Sequence, residues 1–248
     1  MPISNRKLVD GAALFKRDAA RELDNAIKAL IDLVWARTTP TADFLFESDP
    51  ELDAEANALL TDLSDALAAR AKAIAAAMVR DAITTSDFDA DWNEANDRDG
   101  TTLLYRFDMS CSHLKELLEI WIALAAVNHI GRSELRVLIS RHMSNPFLSP
   151  FWKGIRPDAL KWGRGYNRDI MAQLALLGQN AIIMSVRRAE WKDEKAKGAE
   201  YYIRRRGSWY DCDVCDGLAN KPIPIEVPFE VPHSRCCCFP EYFYPEKV

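Results

Sequence analysis

The chain has 248 residues, 48% hydrophobic and 28% charged, with a net charge of −5, enough for one large domain or two small ones around a packed core. The acidic balance excludes a globally basic nucleic-acid binder, so any DNA contact would be a local patch. No run of 18 apolar residues is present, so no helical membrane span is expected. The first eight residues hold no apolar signal core, so the thiols are expected to stay reduced inside a cell, which favours metal or thiol chemistry over disulfides.

In chain order, residues 8–36 read as an amphipathic helix, because Leu8, Ala12, Phe15, Ala19, Leu23, Ile27, Leu30 and Val34 recur at three- and four-residue spacing. Thr38–Thr41, with Pro40, stops it. A second helix opens with Asp49 as N-cap, Pro50 at the first helical position and Glu51 in the first turn. It runs to about Ile83, and its many alanines suit close packing in a bundle.

Residues 84–100 break the pattern, with six acids (Asp87, Asp89, Asp91, Glu94, Asp97, Asp99) against the single base Arg98. The Asp-x-Asp-x-Asp start resembles a calcium loop, but Trp92 stands where a glycine is needed and Arg98 where a carboxylate is needed. A solvated acidic loop or helix end is the better reading. Residues 101–130 are expected helical, with Leu114, Leu117, Leu118, Trp121, Ile122, Leu124 and Ala125 on an apolar face. Gly131 suits the residue after that helix, and Ser133 would cap a short helix through Arg141. Asn145-Pro146 and Ser149-Pro150 mark a corner, and Phe147–Gly165, with Phe151, Trp152 and Trp162, reads as an irregular connection. A further helix is expected from about Tyr166 to Trp191, carrying Ile170, Leu174, Leu177, Ala181 and Met184 on one face. Three short proline-punctuated β-like runs follow, at 201–206, 222–228 and 239–244. The expected class is α+β: a helical body over 1–146, a connection and long helix over 147–198, and a small β subdomain over 199–248.

That last part holds five of the six cysteines. Cys212-Asp-Val-Cys215 is followed by 17 residues and then His233-Ser-Arg-Cys236-Cys237-Cys238. A C-x2-C pair grips one ion from a tight turn, and His233 with Cys236 closes a second short chelate, the pattern of a structural zinc site with no open coordination position. Cys212 and Cys215 supply two ligands, and His233, Cys236 and Cys238 compete for the other two. If 236–238 are extended, Cys237 points away from its neighbours and is the least suited ligand. One structural zinc per chain is the expectation. It would matter energetically, since a subdomain of about 45 residues buries too little apolar surface to stand alone, and zinc supplies on the order of 10 kcal/mol in finger peptides. A metal-free packed cluster and a redox pair are the alternatives. Against redox chemistry, the C-x2-C follows no buried strand and opens no obvious helix, and Asp211, Asp213 and Asp216 would raise a thiol pKa.

Residues 187–206 carry eight basic and four acidic side chains. Arg204, Arg205 and Arg206 precede Trp209 and Tyr210, so the stretch is a candidate for phosphate contact. The alternative, a strand edge blunted by charge, is favoured. His113, His129 and His142 are too scattered for a metal pair, and Cys111 is expected to pack. No nucleophile elbow, phosphate loop, dinucleotide fingerprint or H-E-x-x-H is present.

Cys212-x2-Cys215, then Asp216-Gly-Leu218, a proline-rich spacer, and Pro232-His-Ser-Arg-Cys236-x-Cys238 followed by Pro240 resemble the phage Mu F-like minor head (head morphogenesis) proteins. Ile170–Glu190, with Arg187, Arg188 and Glu190, then Tyr201–Arg206, look like the long helix and short strand that precede the cysteine pair in that family. The resemblance covers roughly residues 150–245. It implies a non-enzymatic virion protein, assembled in the host cytoplasm and present in few copies around the portal vertex. It further implies portal and other head proteins as partners and a role in head assembly, DNA packaging or ejection. Some relatives also bind double-stranded DNA. The runner-up is a zinc-stabilised nucleic-acid-binding or processing protein.

Overall fold

Seven α-helices, one 3-10 turn and three short strands are found in the computed structural model, which describes residues 3–83, 87–96, 101–144, 170–207, 213–230 and 238–245. Helix α1 spans Asn5–Arg37. Ser4 caps it: its carbonyl accepts from the Leu8 amide at 3.3 Å and its hydroxyl oxygen from the Lys7 amide at 3.3 Å. All eight periodic apolar residues expected on its inner face are buried. Helix α2, Pro50–Arg80, is capped by Asp49, whose Oδ1 accepts from the Glu51 and Leu52 amides, each at 3.1 Å.

The acidic segment departs from the expected loop or helix end. Phe88–Asn96 form helix α3, and Asp87 Oδ1 accepts from the Ala90 amide at 3.4 Å. Trp92 and Ala95, three residues apart, turn inward and are buried, so an apolar face overrides the acidic composition. Asp89 pairs with Lys72 at 2.8 Å.

Helix α4, Leu103–Val127, ends in a way composition does not announce. His129 takes the left-handed conformation, φ 56°. The Ile130 amide donates to Ala125 O at 2.8 Å and the His129 amide to Ala126 O at 3.2 Å, the paired bonds of a Schellman cap. Gly131, expected in that role, instead begins α5 (Arg132–Ser144): its carbonyl accepts from the Leu135 amide at 2.9 Å, displacing Ser133 as the cap. Helix α6, Ile170–Ala196, closes with the same two bonds around Gly198 at φ 88°, Ala199 to Glu194 O at 3.1 Å and Gly198 to Lys195 O at 3.0 Å. Strands β1 (Tyr201–Arg205), β2 (Pro222–Pro224) and β3 (Phe239–Phe243) form an antiparallel sheet in the order β2-β1-β3. The chain is thus mostly helical with a small sheet near its C-terminal end. The prolines at 145–150 and the connection Phe147–Gly165 lie outside the described residues.

The chain divides into two compact units. One gathers residues 18–67 and 104–175. Its helices are locked by polar contacts over an apolar core: Arg136 to Asp32 and Ser140 to Asp24 (2.8 Å) tie α5 to α1, and Lys115 to Asp53 ties α4 to α2. Leu23, Leu30, Leu60, Leu114, Leu118 and Ile139 are at most 4% exposed there.

The other unit gathers residues 1–17, 68–103 and 176–248. No residue of its α6 segment is exposed from Gly178 to Glu194, although the stretch includes the buried charged side chains of Arg187, Glu190 and Glu194. Gly178 makes this possible at one point, because the ring of buried Phe15 fills the space where a Cβ would stand. Gln179 adds a bond to Ala12 O at 3.2 Å. Among the described residues no helix is long and apolar enough to cross a membrane.

Candidate functional site

The candidate site grows from the end of α6. Trp191 is buried, and its indole N–H donates to Ile225 O at 2.8 Å, pinning the turn after β2 onto the helix. The Gly198 cap reverses the chain into β1. There alternate residues face inward: Tyr202 and Arg204 are buried, while Tyr201, Ile203 and Arg205 are half-buried. Tyr202 donates to Pro228 O at 3.3 Å and sits edge-on to Phe229 and to its cross-strand partner Tyr242. On the other face Tyr201 stacks on Phe243, opposite it in the register, at 4.9 Å between centroids.

After β1 a helix the sequence did not announce is found: α7 spans Asp213–Leu218 and carries Cys215 on its buried side. Asn220, at φ 60°, turns the chain back, its amide donating to Arg204 O at 3.0 Å. One buried cluster results, combining Trp191, Tyr202, Ile225 and Phe229 with Cys215 at 0% and Cys238 at 1% exposure. The two thiols are 23 positions apart in the chain (238 less 215) and are delivered by different elements, α7 and the residue before β3.

Of the expected ligands, then, Cys215 and Cys238 are brought into one cluster, while Cys212, His233 and Cys236 lie outside the described residues. Among the described residues no group of three or more His, Cys, Asp or Glu side chains is arranged around a common point. The two described thiols fit a soft cation in donor chemistry, and they come from the two halves of the cysteine pattern.

The three arginines are engaged within the protein. Arg204 is 4% exposed, lies 4.3 Å over the Phe229 ring and donates to Glu230 O at 2.7 Å. Arg205 bridges Glu241 on β3 at 2.5 Å and Asn220 at 2.8 Å. Arg206 pairs with Asp216 on α7. That acid, and after it Cys215 and Cys238, hold the guanidinium above its ordinary pKa. The geometry favours a role in tying the strand to α7 and β3 over phosphate contact. It also places a positive charge beside the two thiols and offsets Asp216, one of the acids counted against redox chemistry.

Of the scattered histidines, His113 is half-buried on α4, exposed His129 makes the helix cap, and the side chain of His142 lies outside the described residues. Cys111 packs as expected, 1% exposed. Less legible in the sequence was the pairing of Arg187 with Glu190. Both are 2% exposed, joined at 2.5 Å one turn apart on α6. Its one signal was a pair of opposite charges one turn apart, set among further charges (Arg188, Lys192, Asp193, Glu194 and Lys195) on the same helix. Compared with known protein families, curated proteins and solved structures, the chain matches none.

Proposed function

We propose that this chain is a structural, non-enzymatic minor head protein of a tailed bacteriophage, of the Mu F-like kind, acting at the portal vertex in head assembly, DNA packaging or ejection. One observation carries the reading: the first and last parts of the cysteine pattern, represented by Cys215 and Cys238, share one buried cluster, which a zinc staple needs and which composition alone does not require. The order of parts supports it as well, with the long helix carrying Arg187 and Glu190 and then a short strand preceding the cysteine pair, as the resemblance leads one to expect. Cys212, Cys215, His233, Cys236 and Cys238 are the ligand candidates. Zinc bound there would supply cohesion, replacing the apolar area that so small a sheet cannot bury. The alternative, a zinc-stabilised nucleic-acid-binding protein, draws less support because Arg204, Arg205 and Arg206 already have protein partners.

The test pairs metal content by mass spectrometry with a pull-down on portal rings or assembled heads from the same phage genome. About one zinc per chain is expected, with portal binding lost in Cys212→Ser/Cys215→Ser. No metal in protein purified without chelator overturns the staple. Zinc without portal binding overturns the head-protein reading and favours the nucleic-acid one.

A further inference from the structure

The unit that carries the sheet holds a cavity of about 790 Å³, lined by Ile3, Ser4 and Asn5 together with residues of α6 and β3, among them Arg187, Glu194, Phe239 and Tyr242. The charged groups of α6 grip that N-terminal segment. Glu190 accepts from the Ile3 amide; Arg187 donates to Ile3 O at 3.2 Å and also to Asn5 Oδ1. Two side chains one helical turn apart thus take both backbone groups of a single residue, whose own side chain is 4% exposed. Ser4 then caps α1, with Ile3 before the cap and Leu8 in the first turn both buried, the two positions of a hydrophobic staple.

Burying an ion pair is costly unless its remaining donors and acceptors are met, and stripping one side of such a network leaves charge uncompensated. Within the described residues, residues 3–5 supply three of the bonds that Arg187 and Glu190 make. Beneath lie two atoms with no partner among the described residues, Arg187 Nε and the Tyr242 hydroxyl. Solvent entering on release would also meet these two atoms.

We infer that Ile3–Asn5 are a releasable strap, that Arg187 and Glu190 are its latch, and that its release opens the cavity onto β3. The inference is independent of the head-protein reading. It couples the order of the first turn of α1 to the C-terminal sheet, and it leaves half-buried Phe239 and Tyr242 on the cavity wall more open when the strap is off.

Hydrogen exchange read by mass spectrometry on the full chain tests this, comparing the native protein with Asn5→Ala, Arg187→Lys and Glu190→Gln. Peptides covering residues 3–8 and 239–244 are expected to exchange at least about tenfold faster in the variants, as a local opening requires, with peptides of α4 and α5 unchanged. Trypsin should cut sooner at exposed Arg6 and Lys7. If Glu190→Gln does not fold, Asn5→Ala, altered at a half-buried side chain, carries the test alone. Unchanged exchange at 3–8 in folded Asn5→Ala overturns the latch. Uniform acceleration across all peptides overturns it too, since the pair would then serve global stability.

Discussion

Cys111 shows how much one environment sets a residue's chemistry. Burial on α4 pushes its thiol from 9.0 up to about 11, with a hydrogen bond from Ser64 opposing and Asp108 adding. At pH 8 only about one thiol in a thousand would then be ionised. Native Cys111 is therefore expected to resist iodoacetamide and to react once the chain is unfolded, as read by peptide mass. Equal labelling in both states would refute this. The sign of the pH dependence follows. The native state holds this proton to higher pH than the unfolded chain, so the associated stability is complete below about 9 and lost as pH rises through about 11. A shift of that size is worth about 3 kcal/mol at most. Cys111→Ala should remove that alkaline decline in denaturant titrations, whatever its own packing cost.

Two glycines separate at the level of elements. At Gly178 a Cβ would stand 2.0 Å from an atom of the Phe15 ring, and that ring is fully buried between α1 and α6. At Gly11 the nearest obstacle is the methyl end of Met78, which can swing aside. Alanine favours a helix over glycine by about 1 kcal/mol at either site, so the obstacle decides the sign. Gly178→Ala is expected to cost about 2 kcal/mol net through overpacking. Gly11→Ala should be near neutral or slightly stabilising. Thermal melts of the two variants check the contrast, and equal shifts would show that Phe15 yields as easily as Met78.

For the whole molecule, the unit bearing the sheet is assembled from three separate stretches, so no cut in the chain isolates it. Met184 and Trp191 on α6 are covered by residues beyond Gly198, among them Tyr202, Ile225 and Phe229. A chain ending at residue 198 should therefore expose this apolar face, bind a hydrophobic dye and lose tryptic protection over 176–198. Helices α4 and α5, in the other unit, should keep theirs. Native-like protection of 176–198 would show that the sheet is an appendage and not part of the core.

What the sequence determined by itself was local or periodic. The inward face of α1, the Asp49 cap, the three β-like runs and the packing of Cys111 could all be read from spacing and residue type, because each depends on neighbours within a turn or a strand. Tertiary structure decided the rest. The acidic stretch became α3 because Trp92 and Ala95 had a core to enter. His129 displaced Gly131 as helix cap because the chain turned two residues earlier. Asp213–Leu218 formed α7, and Arg204, Arg205 and Arg206, a candidate surface patch in the sequence, found partners in Glu230, Glu241 and Asp216. The grip of Arg187 and Glu190 on Ile3 spans more than 180 residues. No local pattern encodes such a contact, since it depends on which surfaces are left to meet once the helices have packed.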